Sequence, residues 1–352
     1  MLLRNPNLLV SWKGGRVAVK NLESGTGVLG TSDLVELLGR FATPLSEKAV
    51  AREFERYDKR SVATAIRRLR ALGFLLPVAE AARRTAHIDA WKQNVASVGY
   101  HVATKDISYM TRKAATDSFL RSRLSAERQP PKFKRYRHAT SRKLPHVAFS
   151  PDAAALRRIL QARRTVRRFS RSAVSFGALA EILRGTWGLT GYLDAGVLGR
   201  LSTKTSPSAG ARHPIECYVL AWNVANLRKG LYHYDVRADE LRRLRAGDFR
   251  AEAARMASGQ EYVSRSAFLC VMTAVFGRTL WKYVFENAYR VVWLDAGHLA
   301  QTFCLLATSL GLGPFQTAAI QDSYIEKLIG LDGIKEFPVY LCGAGMPAKK
   351  LL

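Results

Sequence analysis

From about Asn287 to Leu310 the chain is apolar on most faces of a helix, with Val291, Val292, Leu294, Leu299, Phe303, Leu305 and Leu306 leaving little room for a polar side. Such a helix has to be wrapped, either at the centre of a domain or in a subunit interface. The flanking sequence supplies candidates for the wrapping. From Ser150 the capped helical patterns "SPDAAALRRILQA" and "SFGALAEILRGTWGL" are followed by the buried strand "ECYVLAWNV", the hairpin "GLYHYDVRADELRRL" and the strand "AFLCVMTAVF". After the long helix come a short one, "DSYIEKLIGL", and a last strand, "FPVYLCGAG". Residues 150–352 therefore read as an α+β domain.

A chain of 352 residues is too long for one ordinary core, so a smaller domain is expected ahead of this one. "NLLVSWKGGRVAVKNL" alternates around Gly14-Gly15 as a hairpin does. Three helical patterns follow: "TSDLVELLGRFA" capped by Thr31 or Ser32, "SEKAVAREFER" capped by Ser46, and "DKRSVATAIRRLRALGFL" closed by Gly73. Three helices with an adjacent hairpin outline a winged-helix-like domain over residues 1–80. Its third helix carries Arg67, Arg68 and Arg70 where a DNA reader places recognition residues, yet Ile66, Leu69 and Leu72 make the same helix amphipathic with a solvated basic face. Docking of a peptide or partner protein is the preferred reading, because nothing else in the chain looks like a regulator. Residues 81–149 are a helix-prone stretch and a basic connector. Between Arg121 and Lys143 nine Lys or Arg face the single acid Glu127, which reads as a solvated tether or as a track for an acidic peptide.

An apolar fraction of 48% with 10% aromatics excludes a disordered chain and suits an enzyme or binding protein. Lys+Arg 55 against Asp+Glu 28 gives a net charge of +27, which favours an acidic partner: nucleic acid, an anionic membrane surface, an acidic peptide or protein, or a phosphorylated cofactor. Cys217, Cys270, Cys304 and Cys342 are widely spaced in apolar surroundings and read as buried thiols of a reducing cytoplasm. No apolar run approaches the roughly 18 residues needed to span a bilayer, and a soluble, cytoplasmic protein without a membrane role is expected. The common nucleotide, hydrolase and zinc motifs are missing, His213, His233 and His298 are isolated from one another, and no metal site is expected.

Two stretches stand out chemically. "RRTVRRFSR" puts five arginines into the nine residues from Arg163 to Arg171. After a helix, an R-R-T-x-R segment can present several guanidiniums and a hydroxyl to one dianionic phosphate, where the planar fork of arginine suits the anion better than lysine. "SPSAGARHP" is turn-rich, and Pro207, Ser208, Ala209 and Gly210 either let backbone groups approach a flat ring or form a plain surface turn.

Taken in order with "TSPSAGARHPIE", "GLYHYD", "WKYVFENAYRVVWLDAGHLAQ" and "SLGLGPFQTAAI", the segment Arg163 to Phe169 resembles the flavin-dependent nitroreductase superfamily. More narrowly it resembles the SagB-type branch, the peptide azoline dehydrogenases that make thiazoles and oxazoles in ribosomal peptides. A winged-helix-like segment commonly precedes the flavin domain in that branch, so the resemblance covers nearly the whole chain. It implies a nitroreductase-like fold, FMN as cofactor, and a homodimer with its site at the subunit interface. By the resemblance, Arg163, Thr165 and Arg167 hold the FMN phosphate and ribityl chain with Arg164 beside them, while Arg168 and Arg171 fall outside the match. Pro207, Ser208, Ala209 and Gly210 would lie against the isoalloxazine of the partner subunit. Gly313, Thr317 and Ala318 belong to the loop whose amides approach flavin N5 and O4, although Thr317 and Ala318 stand where members often carry glycine. Lys349 and Lys350 match a basic position that completes the phosphate site or form a frayed charged tail.

Oxidising an azoline to an azole removes a hydride equivalent and a proton from adjacent carbons. The flavin can accept the hydride, and the proton needs a base. Lys282-Tyr283 matches the pair assigned to proton abstraction in the SagB-type branch, with Tyr289 and Arg290 in the tract just before the long helix. A lysine serves as base only when burial or nearby positive charge favours its neutral form, and Leu280, Trp281, Val284 and Phe285 are placed in sequence to bury it. The resemblance also implies a precursor peptide as substrate and partner maturation proteins such as a cyclodehydratase; the basic surplus suits acidic leader peptides. Three rival readings stay open: a small-molecule nitroreductase or flavin reductase using a nicotinamide cofactor, a winged-helix nucleic-acid binder, and a scaffold that has lost its flavin.

Overall fold

Gly14 and Gly15, at φ of +55° and +75°, turn the chain back in a two-residue hairpin with Lys13 opposite Arg16. The computed structural model describes residues 1–54, 56–110, 113–134, 140, 142–145 and 147–349. It divides into two units, the first comprising residues 1–105, 275–292 and 332–336, and the second the remainder.

In the first unit β1 (Leu2–Arg4) is followed by β2 (Leu8–Lys13), β3 (Arg16–Asn21) and β4 (Gly27–Gly30), the last three forming an antiparallel meander in that order. The expected hairpin thus gains a third strand. Three helices come next, α1 (Ser32–Arg40), α2 (Glu47–Glu53) and α3 (Lys59–Ala71). Ser46 Oγ accepts the Ala49 N–H at 3.2 Å, and Asp58 Oδ1 accepts those of Arg60 and Ser61, so α2 and α3 begin at side-chain caps. Gly73, at φ +71°, ends the third helix and leads to β5 (Leu75–Pro77), antiparallel to β1. Val19, Phe41, Val50, Ile66 and Phe74 lie fully buried between sheet and helices. The unit also takes in α4 (Val78–Ala90) and α5 (Val95–Thr104), helices that the sequence division assigned to the following segment.

The second unit opens with α6 (Lys113–Ala126), which carries helix into the first residues of the basic connector. Arg135 and Arg137 of that connector lie outside the described residues. α7 (Pro151–Ala162), β6 (Val174–Ser175) and α8 (Phe176–Trp187) follow, with Ser150 and Ser175 capping the two helices. A hairpin of β7 (Leu189–Asp194) and β8 (Arg200–Lys204) has no counterpart in the sequence reading, because neighbouring Tyr192 and Leu193, on opposite faces, are both exposed and no alternation marks the strand. Next along the chain are β9 (Ile215–Ala221), β10 (Val224–Ala225), β11 (Gly230–Asp235), β12 (Glu240–Ala246), α9 (Arg250–Met256) and β13 (Phe268–Val275). The chain ends with α10 (Gly277–Leu280), α11 (Ala288–Ser309), β14 (Gly313–Thr317), α12 (Asp322–Ile329) and β15 (Glu336–Gly345).

One six-stranded sheet, ordered β12-β11-β9-β13-β15-β14, organises this unit. β13 is buried along almost its whole length, as a central strand with both faces covered must be. α11 matches the expected long helix within a residue or two at each end. Only one side of it is covered: Val292, Ala296, Leu299, Phe303 and Ala307 are buried, while Trp293 and Leu294 are 38% and 56% exposed. All four cysteines are buried and unpaired, as the sequence indicated. Among the described residues no helix is long and apolar enough to cross a membrane.

Candidate functional site

The arginine segment leaves α7 in extended form. The Arg163 N–H closes the helix on Ile159 O at 2.9 Å, and three residues later the Val166 N–H reaches Pro314 O at 2.8 Å. The Ser170 N–H then bonds Met346 O at 2.8 Å, and the Ala348 N–H bonds Arg168 O at 3.0 Å. Residues 163–170 are therefore held between the start of β14 and residues 346–348, with Gly313 and Lys349 next in sequence to these anchor points. Gly313 permits this approach: a Cβ there would stand 2.8 Å from Val166 Cβ and Cγ1.

The chemistry of the cluster fits a phosphate. Thr165, Arg167 and Lys349 are exposed and Arg163 is half-buried. Among the described residues no carboxylate pairs with any of the three cations. Arg167 lies over the Tyr262 ring at 5.5 Å, and Arg163 is close enough to Cys304 to pull its thiol down against the burial that pushes it up to about 11. Arg164 is used differently from its neighbours. Its Nη1 donates to the carbonyls of Gln161 and Arg163 at 2.7 and 2.8 Å and so caps α7. Lys350 lies outside the described residues.

The loop at Pro207 is fastened to α11. Ser208 Oγ donates to Asp295 Oδ2 at 2.5 Å and accepts the His213 N–H at 2.9 Å, so its hydroxyl serves the loop itself. The Ala209 N–H reaches Asp295 Oδ1 at 3.4 Å, Pro207 O lies 3.3 Å from His298 Nδ1, and Ser206 Oγ meets Thr302 Oγ1 at 2.6 Å. Burial pushes the Asp295 carboxyl above its ordinary range while the Ser208 and Ala209 donors pull it back. Gly210 adopts φ +58°, and Ala211 and His213, on either side of the right-handed Arg212, are at +52° and +44°, left-handed positions taken without glycine's freedom.

At the other rim Thr317 ends β14 as part of a strand, where a loop was expected. Its Oγ1 accepts from Gln260 Nε2 at 2.9 Å and from the Ala319 N–H at 3.1 Å, and Tyr262 OH donates to Gln260 Oε1 at 2.8 Å. The side chain that replaces glycine here thus forms a turn of its own. The carbonyl of Ala318 accepts from Tyr109 OH at 3.4 Å.

Lys282 and Tyr283 belong to the first unit, in the turn between α10 and α11. That turn is anchored. Glu286 accepts the N–H groups of Ala96 and Ser97 at 3.0 and 2.7 Å, capping α5, and Lys92 Nζ donates to Leu280 O at 3.0 Å. Tyr289 is buried in an aromatic cluster with Trp91, Tyr100, His101 and Phe276. Among the described residues the apolar cover expected over Lys282 is not formed. Leu280 is buried, but Trp281, Val284 and Phe285 are 61%, 56% and 52% exposed, and Lys282 is exposed with its Nζ 5.6 Å from the Tyr283 ring. Residues 281–287 are a turn in which Tyr283 packs edge-on to Phe285 at 6.0 Å, and Lys282 is left exposed beside them.

Sequence reasoning missed Asp295, His298 and Thr302, which position the Pro207 loop, and Gln260 and Tyr262, which support Thr317 and Arg167. The first three recur at i, i+3 and i+7 on a mostly apolar helix, a polar stripe that could have been read. Nothing in the sequence near Gln260 signals its role.

The nitroreductase family model matches residues 160–346, more than half of the chain. The trifolitoxin operon protein TfxC of Rhizobium leguminosarum bv. trifolii is 27% identical over 299 residues, covering 82% of this chain and 82% of its own. The microcin B17-processing protein McbC of Escherichia coli is 29% identical over 131 residues, 36% of this chain and 48% of its own. Among solved structures, the E. coli microcin synthetase McbBCD complex with truncated pro-MccB17 bound aligns at 21% identity and a TM-score of 0.48, over 68% of this chain and 83% of that one.

Proposed function

The chain belongs to the nitroreductase family, and from that premise we propose that it is an FMN-dependent dehydrogenase oxidising thiazolines or oxazolines to azoles in a ribosomally made peptide. The observation that carries this reading is the likeness to TfxC, a trifolitoxin operon protein, over 82% of both chains, which extends well beyond the matched domain. The shorter likeness to McbC, a microcin-processing protein, points the same way.

Arg163, Thr165, Arg167 and Lys349 hold the FMN phosphate and ribityl chain, Arg164 supports them as the cap of α7, and Gly313 keeps the segment against β14. Pro207, Ser208, Ala209 and Gly210 form a rigid platform for the ring, and Thr317 and Ala318 line its edge. When bound, FMN supplies the hydride acceptor. Lys282 Nζ takes the proton from the adjacent ring carbon, so that one C–H bond is lost as hydride, the other as proton, and a ring double bond forms. Bound peptide or a second subunit covers Trp281, Val284 and Phe285 and so excludes water from the step. Tyr283 orients that amine. The exposed Leu193, Val197 and Leu294 of the second unit support a homodimer. The first unit is a winged-helix-like docking domain for precursor peptide or maturation partners.

The absorption spectrum of the purified full chain tests the cofactor half of the proposal. A flavin band, released on denaturation as FMN, is the expected result; colourless protein that takes up no FMN overturns it.

A further inference from the structure

Trp91, Trp187 and Trp222 are the buried tryptophans, and the fold treats their indole N–H groups differently. Trp91 Nε1 donates to Ile334 O at 2.9 Å, and Trp222 Nε1 donates to Ser266 O at 2.6 Å. Trp187 is completely buried, yet its Nε1–H has no acceptor among the described residues. A buried donor in that state costs about as much as a lost hydrogen bond, and native folds seldom leave one so. The Trp187 side chain forms part of the wall of a small cavity at the Pro207 loop, together with Ser206, Pro207, Ser208, His213 and Asp295. The cavity measures about 10 Å³, roughly the room that one water molecule needs and too little for any larger ligand.

We propose that this cavity is the binding site of one structural water, which accepts the Trp187 indole hydrogen and donates to the Asp295 carboxylate. The polar partners are at hand. Asp295 Oδ2 is taken by Ser208 Oγ at 2.5 Å, but Oδ1 holds only the long 3.4 Å contact from the Ala209 N–H, so it keeps capacity to accept. Ser206, whose Oγ is 2.6 Å from Thr302 Oγ1, lines the same cavity and gives the water a third polar neighbour. A water with that many partners is held as part of the structure, and the bridge it makes is nearly as good as a direct hydrogen bond. Through it α8 is tied to α11 and to the loop. Trp187 is thereby a positioning residue for Gly210, Ala211 and His213, whose positive φ values need support from their surroundings. The functional sense of the proposal rests on the reading of the loop from Pro207 to Gly210 as the platform for the flavin ring.

High-resolution crystal structures of the full chain, with and without added FMN, test the site itself. One ordered water within about 3 Å of both Trp187 Nε1 and an Asp295 oxygen is the expected result in each. A cavity without water, or an Nε1–H bonded directly to a protein atom, overturns the proposal whether or not FMN binds, so this failure is distinct from failure of the flavin reading. The positioning role is tested by comparing Trp187→Phe with Trp222→Phe, since each deletes one buried indole N–H and Trp222 lies beyond the end of β9 that is far from the loop. Trp187→Phe is expected to weaken FMN binding about fivefold and to shift the visible band of the flavin that stays bound. Trp222→Phe is expected to change FMN affinity about twofold or less and to leave the band in place. Equal effects of the two substitutions, or none from Trp187→Phe, overturn the positioning role. If Trp187→Phe does not fold, the native structures still decide the water site.

Discussion

Ser208 donates its hydroxyl hydrogen to the buried Asp295 at 2.5 Å, and this bond ties the strained loop through Gly210 to the long helix. Replacing Ser208 with alanine leaves a buried carboxylate short of a donor, at a cost of about 1–3 kcal/mol. The expected outcome for Ser208→Ala is a lower unfolding temperature together with weaker FMN retention, read by melting and by flavin content after gel filtration.

Gly313 meets Val166 too closely for any side chain. In Gly313→Ala the added methyl forces residues 163–167 off β14, an overpacking effect of about 1–3 kcal/mol. Thermal unfolding and FMN titration should both worsen, and they should worsen together because one displacement causes both.

Arg163 and Arg167 differ from Arg168 in the role assigned to them. Arg163→Ala or Arg167→Ala is expected to weaken FMN binding by about tenfold or more, a charge-assisted hydrogen bond contributing about 1.5–3 kcal/mol. Arg168→Ala should leave it nearly unchanged, since Arg168 is tied to Ala348 through its backbone carbonyl alone. Equilibrium titration of apoprotein with FMN distinguishes the three.

His101 is buried between Gly333 O at 2.9 Å and Tyr289 OH at 3.1 Å, and burial lowers its pKa from 6.5 to about 4. Its folded pKa lies below the unfolded one, so as pH falls the unfolded chain takes up the proton first. The resulting stability is fully present above about 6.5 and is lost between 6.5 and about 4, amounting to about 3 kcal/mol. Urea unfolding across that window should show a steeper pH dependence in the native chain than in His101→Gln.

Much of this was written in the local sequence. Caps at Ser46, Asp58, Ser150 and Ser175 and the Gly14-Gly15 turn set their elements without help from distant residues, and the apolar run of α11 marked the long helix, although only one of its sides is covered. The arginine segment was legible because its spacing around Thr165 is local. The partners that complete the site were not. Asp295 meets Ser208 across 87 positions and Gln260 meets Thr317 across 57, and contacts at such separations leave no periodicity to read. The exposed Lys282 shows the converse failure: Trp281, Val284 and Phe285 are its apolar neighbours in sequence, yet in this turn they are themselves exposed and give it no cover.

The most direct measurement is the mass of a thiazoline-containing peptide after incubation with the purified full chain. Loss of two hydrogens per ring, with bleaching of the flavin band in the absence of oxygen, is expected in the native protein. Lys282→Ala should keep the flavin and leave the peptide unchanged. An unaltered peptide mass with the native protein, alongside rapid NAD(P)H-driven reduction of a nitroaromatic, would contradict the assignment.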